Sequence, residues 1–178
     1  MTGGRRCIRT ATVADAAACA AIYAPFVTDT TISFETEAPG PAELADRIAA
    51  ANDSHAWLVL EEDGRVVGYA YAATFNPRAA YRWSCTVSVY LEPGLRRRGA
   101  GRALYEALFA RLAERGYRTV LAGMTLPNEA SEGLHRALGF VPVGTYRRVG
   151  YKNGSWHDVA WVQRELGTAA DEPPAEPR

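Results

Sequence analysis

The 178-residue chain is short of cysteine, of histidine and of net charge. Its three cysteines, Cys7, Cys19 and Cys85, are odd in number, widely spaced and free of any CxxC pair. That excludes a disulfide framework and reads as reduced thiols in a cytoplasmic protein. His55, His135 and His157 are the only histidines, and none stands at metal-ligand spacing from Cys, Asp or Glu, so no metal is expected. Twenty basic against twenty acidic residues leave no basic excess, which argues against nucleic acid or a membrane surface as partner. No apolar run approaches the roughly 18 residues of a spanning helix. The early arginines Arg5 and Arg6 are followed by no apolar stretch of the secretory kind. What is there, 48% hydrophobic and 22% charged residues, suits one globular domain with a buried core.

Local pattern supplies an element order. Residues 8–11 read as a strand, and Thr12-x-x-Asp15 as a capping box opening an Ala-rich helix to about Phe26. A loop from 28 to 41 contains Ile32-Ser33-Phe34, and Pro41 starts a second helix to about Ala51. Asp63-Gly64 joins strands at 57–60 and 66–73 into a hairpin. A strand follows at 83–91, then a helix at 99–115 with Leu104, Leu108 and Leu112 on one stripe, stopped by Gly116. Residues 119–125 form a strand, 128–138 a helix closed by Gly139, and 141–149 with 158–166 a last strand pair. The segment from Gly167 onward lacks apolar anchors and is expected to be disordered. The order predicts an α/β (or α+β) domain over residues 1–166, with a mixed sheet covered by helices.

The strongest chemical signal is Arg96-Arg97-Arg98-Gly99-Ala100-Gly101-Arg102, between a strand and a helix start. A helix N-terminus presents unpaired N–H groups and the positive end of the dipole, which together bind phosphate. Glycines admit an anion close to the backbone, and arginines add charge-assisted hydrogen bonds. Ala100 stands where a P-loop needs lysine, and Leu104 where a dinucleotide fingerprint needs its third glycine. Two polar faces accompany this loop. In the strand at 83–91, Ser84, Thr86, Ser88 and Tyr90 share one side, opposite Cys85, Val87, Val89 and Leu91. In the helix after Pro127, Asn128, Ser131 and His135 fall within roughly 60° of one another.

On these residues the chain resembles the GNAT superfamily, whose R/Q-x-x-G-x-G/A signature is matched by Arg96, Gly99 and Gly101. More narrowly it resembles the phosphinothricin and methionine sulfone N-acetyltransferases. That likeness rests on Ile32-Ser33-Phe34, Ala80-Tyr81-Arg82-Trp83, Ser88-Val89-Tyr90, Leu126-Pro127-Asn128, the segment from Leu134 to Phe140, Gly150-Tyr151-Lys152 and Trp156-His157-Asp158-Val159. The resemblance implies a GNAT fold and direct transfer of acetyl from acetyl-coenzyme A to the amino group of a small amino acid or analogue. It implies that Val89 and Leu91 pair with the pantetheine arm through their main chains. The arm is held further along by Asn128 with Ser131, and the pyrophosphate by residues 96–102. His135 would act as acid or base near Tyr90, and Phe34, Glu35, Arg78, Tyr81 and Ser88 would line the acceptor pocket. Relatives pair as homodimers, and a bulge in the strand at 83–91 is expected from the family.

The pattern breaks on the acceptor side. Thr86 stands where the phosphinothricin enzymes carry glutamate, Glu35 where some carry arginine, and Asn76 where a basic pocket residue is usual. Threonine takes no proton from an ammonium near neutral pH. General-base catalysis is worth roughly 10²–10⁴-fold, yet an amine of pKa about 8 is already substantially neutral at physiological pH. Direct attack by the neutral amine therefore stands beside a base role for His135 or Glu35, with His135 favoured by its titration range. A catalytically silent coenzyme-A sensor, or a transferase for a different amine, are the competing readings.

Overall fold

A computed structural model describes residues 6–95, 99–167 and 175–178. Its strands are β1 (Arg6–Thr10), β2 (Trp57–Glu62), β3 (Arg65–Thr74), β4 (Ser84–Leu91), β5 (Thr119–Thr125), β6 (Val141–Lys152) and β7 (Ser155–Glu165). Its helices are α1 (Ala16–Thr28), α2 (Pro41–Ser54), α3 (Ala100–Glu114) and α4 (Glu129–Ala137). The strands form one sheet of order β1-β2-β3-β4-β5-β7-β6, antiparallel except where β4 meets β5. This is the expected mixed sheet. Among the described residues no helix is long and apolar enough to cross a membrane.

Turn chemistry explains the hairpins. Asp63 and Gly64 both take positive φ (51° and 80°), as a two-residue turn matched to strand twist requires. Asn153 and Gly154 repeat this between β6 and β7, with φ of 51° and 77°. The last two strands accordingly reach further towards each other than apolar pattern alone suggests, to Lys152 and back from Ser155. At the other end, the capping box forms as expected: Asp15 accepts from the Thr12 backbone N–H at 2.8 Å, and Arg9 clasps the same carboxylate with two bonds of 2.8 Å.

The sheet separates two cores. On one face Leu104, Leu108 and Leu112 of α3 pack against Cys85, Val87 and Val120. On the other, α1 and α2 bring Tyr23, Leu44 and Ile48 onto Trp57, Val59 and Tyr69. Residues 175–178 are described apart from the rest of the segment after Gly167. Ala175 accepts from the Trp83 indole at 3.0 Å and the Arg178 N–H donates to the Arg115 carbonyl at 2.9 Å, so these four residues lie against the end of α3. Polar backbone contacts, which leave no mark in hydropathy, do this. The stripe on α3 sets the stability of the whole. Leu108→Ala should lower the unfolding free energy by about 2–5 kcal/mol, measured by urea titration; a loss under 1 kcal/mol would mean the stripe is not the core.

Candidate active site

β4 and β5 are held together by three residue pairs, Ser84↔Thr119, Cys85↔Val120 and Thr86↔Leu121. Beyond them β4 stays with β3 up to Leu91, and β5 stays with β7 up to Thr125. Each strand thus keeps one partner while a cleft opens between them. The β3–β4 ladder runs one for one from Thr74↔Cys85 to Gly68↔Leu91, so the expected bulge is not in this register. The Glu92 N–H donates to the Val67 carbonyl at 2.9 Å, which fixes the phase of the ladder. Backbone groups alternate sides along a strand, so Ser88 and Tyr90 bond to β3 while Val89, in the cleft, and Leu91 beyond it turn N–H and C=O away from β3.

The cleft joins the two faces of the sheet. Asn128, Ser131 and His135 of α4 line it together, as their helical spacing predicts, and Tyr105 of α3 joins them. On the other side are Ser88 and Tyr90, with Ile32 from the loop after α1. Asn128 caps α4, its Oδ1 accepting from the Ser131 N–H at 3.1 Å, which leaves its amide N–H groups for the cleft. His135 is 4% exposed, and its Nδ1 lies 2.8 Å from the Ser131 carbonyl. A carbonyl only accepts, so Nδ1 carries the proton and Nε2 accepts from the Tyr105 hydroxyl at 3.3 Å. Burial lowers the His135 pKa, an effect the Ser131 bond opposes, and keeps the ring neutral at physiological pH.

At the start of α3, Gly99 has φ +73°, where a side chain is strained, and the first helical bond runs from Ala103 N–H to Gly99 carbonyl at 2.9 Å. The N–H groups of Ala100, Gly101 and Arg102 therefore precede the helical ladder. A Cβ at Gly101 would make ordinary contact with Leu134 at 3.4 Å and Leu91 at 3.6 Å, so the packing there admits a small side chain. Arg102 pairs with Glu106 at 2.7 Å along its own helix. Arg96, Arg97 and Arg98 lie outside the described residues.

The acceptor-side residues separate. Tyr90 lies edge-on to Tyr23 (4.8 Å) and Phe26 (5.1 Å), and burial raises its phenol well above the ordinary range. Thr86 stands at the closed end of the wedge with its hydroxyl donating to the Ala73 carbonyl at 3.2 Å. Phe34 covers Gly150, where a Cβ would fall 2.0 Å from the ring. Arg78 and Tyr81 sit on the exposed loop before β4, Tyr81 against Phe75 at 5.6 Å, and neither lines the cleft. Glu35 also stands off from it: Arg47 binds its carboxylate at 2.7 and 3.0 Å and Tyr23 donates at 2.8 Å. Arg47 first of all, then Tyr23, holds the carboxyl below its usual range, which weakens Glu35 as a base. Lys152, buried, ties the loop to β6 by donating to the carbonyls of Val27 (2.6 Å) and Ser33 (2.7 Å). Tyr105, Lys152 and the β5 wall at Met124 and Thr125 were not singled out as site residues from sequence; Tyr105 sits beside the leucine stripe and reads as core.

With this geometry in hand, the comparisons are specific. Residues 8–161 match the acetyltransferase (GNAT) domain family. A phosphinothricin N-acetyltransferase of Streptomyces viridochromogenes is 39% identical over 96% of this chain and 93% of its own length. An L-methionine sulfoximine/L-methionine sulfone acetyltransferase of Pseudomonas paraeruginosa is 34% identical over 93% of this chain and 98% of its own. The crystal structure of a phosphinothricin acetyltransferase from Sinorhizobium meliloti in complex with AcCoA superposes with TM-score 0.90 at 36% identity, covering 96% of this chain and 94% of that one. The chain belongs to the GNAT acetyltransferase family. It is an acyltransferase with the GNAT fold.

The Glu35–Arg47 pair makes the loop after α1 pH-sensitive. A carboxyl whose folded pKa is lowered stabilises the fold above its unfolded value of about 4.3, and that contribution is lost as pH falls through the folded value. Glu35→Gln should therefore cost about 1 kcal/mol at pH 7, a figure discounted for the partial exposure of the pair. Thermal melts should show the difference from wild type shrinking as the pH is taken below the ordinary carboxylate range and through the lowered folded value. A difference independent of pH would exclude the ion pair as its source.

Proposed function

We propose that this protein transfers the acetyl group of acetyl-coenzyme A to the amino group of a small amino acid or analogue of the phosphinothricin or methionine sulfone type, directly within a ternary complex. The observation that carries the reading is the wedge beyond Thr86, lined by Val89 on one wall and by Asn128 and His135 on the other, with Leu91 next along the same edge of β4. The pantetheine arm adds to β4 as a short extra strand, with the Asn128 amide holding it further along. The pyrophosphate lies at the start of α3, on the N–H groups beyond Gly99 and the arginine loop before it. No metal is required.

Among the described residues lining the cleft there is no carboxylate, so the acceptor enters as the neutral amine and attacks the thioester carbon directly. Its side is the Ile32–Ser88–Tyr90 mouth. His135 supplies acid–base capacity on the opposite, coenzyme side, its unprotonated Nε2 facing the Tyr105 hydroxyl at 3.3 Å. A cytoplasmic setting fits the unpaired thiols of Cys7, Cys19 and Cys85. A homodimer fits β6, an edge strand whose Val141, Val143, Tyr146, Val149 and Tyr151 are exposed, and a second copy covers that face.

Thiol release from acetyl-coenzyme A, followed across phosphinothricin, methionine sulfone, methionine sulfoximine and the common amino acids, tests this. Turnover with at least one of the first three, exceeding that with the common amino acids, is expected. Tight coenzyme binding without thiol release from any amine would make the protein a coenzyme sensor and overturn the proposal.

A further inference from the structure

His135 holds its base position towards another side chain, and that arrangement determines how it meets the substrates. Nδ1–H is committed to the Ser131 carbonyl at 2.8 Å, and Nε2 faces the Tyr105 hydroxyl at 3.3 Å. Phe140 stands edge-on to the imidazole with ring centres 4.8 Å apart. The groups facing His135 are thus Tyr105 from α3, Phe140 after α4 and Ser131 of its own helix; among these Tyr105 alone titrates. Tyr105 is fixed in turn, 1% exposed and stacked on Phe109 at 5.2 Å, yet it lines the cleft beside Val87 and Val89. Both Tyr105 and His135 belong to the α3 side of the sheet, whereas Ser88, Tyr90 and Ile32 form the other mouth.

We propose that Tyr105 is the group that exchanges protons with the reacting atoms, and that His135 acts only through it, as the store behind the hydroxyl. This rests on the acetyltransferase reading above. The amine nitrogen attacks the thioester carbon, so nitrogen and sulfur are bonded to one carbon in the tetrahedral intermediate and a single hydroxyl beside it reaches both. The ammonium nitrogen of that intermediate passes a proton to the Tyr105 oxygen as the Tyr105 O–H proton moves to His135 Nε2. The C–S bond then breaks with its electron pair going to sulfur. The Tyr105 proton passes to the thiolate, and His135 returns its Nε2 proton to the Tyr105 oxygen. Amide and free coenzyme thiol are formed, both side chains return to their starting states, and no outside acid, base or oxidant enters.

The relay needs an empty Nε2, so kcat should fall on the acid side as His135 becomes protonated. Because burial lowers the His135 pKa, that limb lies below the ordinary imidazole value of about 6.5. Tyr105→Phe keeps the ring and removes the relay. It should lower kcat about 10²-fold, within the range of acid–base contributions, abolish the acid limb of the kcat profile, and leave melting temperature and calorimetric coenzyme-A affinity unchanged within threefold. His135→Ala should lower kcat by a similar factor, and the double variant should be no worse than either single one. An active wild type with Tyr105→Phe within threefold in kcat and its acid limb intact overturns the relay while the transferase assignment stands. A wild type that releases no thiol with any acceptor fails that assignment, and the relay with it.

Discussion

The structure depends on two parallel strands that part after three residue pairs. Were β4 and β5 to stay paired, their backbone groups would satisfy each other and the sheet would be closed. Parting is possible because each strand is secured on its other side, β4 by β3 to Leu91 and β5 by β7 to Thr125. The two apolar cores clamp this geometry from above and below. What the sheet leaves open is a short strand's worth of N–H and C=O groups, an edge that under the proposed function an extended polar ligand completes. The same parting brings α3 and α4 to one mouth of the wedge and the loop after α1 to the other, so in the proposed reaction the two substrates meet from opposite faces.

Electrostatics divide along the same line. On the α1 side the charges are already committed: Glu35 to Arg47 and Tyr23, Lys152 to one carbonyl of α1 and one of the loop after it. Their work is to hold Ile32 and Phe34 in place over the cleft and β6. On the α3 side the polar groups are neutral and buried, His135 between Ser131 and Tyr105. A neutral, dry pair of this kind suits proton movement within a closed complex, where a fixed charge would be costly.

How much of this was legible in the chain follows from the range of each interaction. The wall of Asn128, Ser131 and His135 was readable because helical periodicity alone puts them on one face. The α3 stripe and the Asp63-Gly64 hairpin were readable for the same local reason; the Asn153-Gly154 turn carried an equally local signal. The wedge was not, since ladder length is a tertiary property of β4, β5 and their outer partners. The Glu35–Arg47 pair could not be read from sequence, because Glu35 lies in the loop after α1 and Arg47 on α2. Arg78 and Tyr81 sit in a loop, where no periodicity states which way a residue faces. Tyr105 was hidden by its setting: a tyrosine beside Leu104 and Leu108 reads as packing until His135 is seen to face its hydroxyl.

The central claim, that the open edge of β4 takes the coenzyme as an added strand, is tested most directly by amide hydrogen exchange resolved to single residues by NMR. On saturation with coenzyme A, the Val89 and Leu91 amides should slow at least tenfold, while Tyr90, already bonded to β3, should change little. Saturable coenzyme binding with unchanged exchange at Val89 and Leu91 would contradict the account.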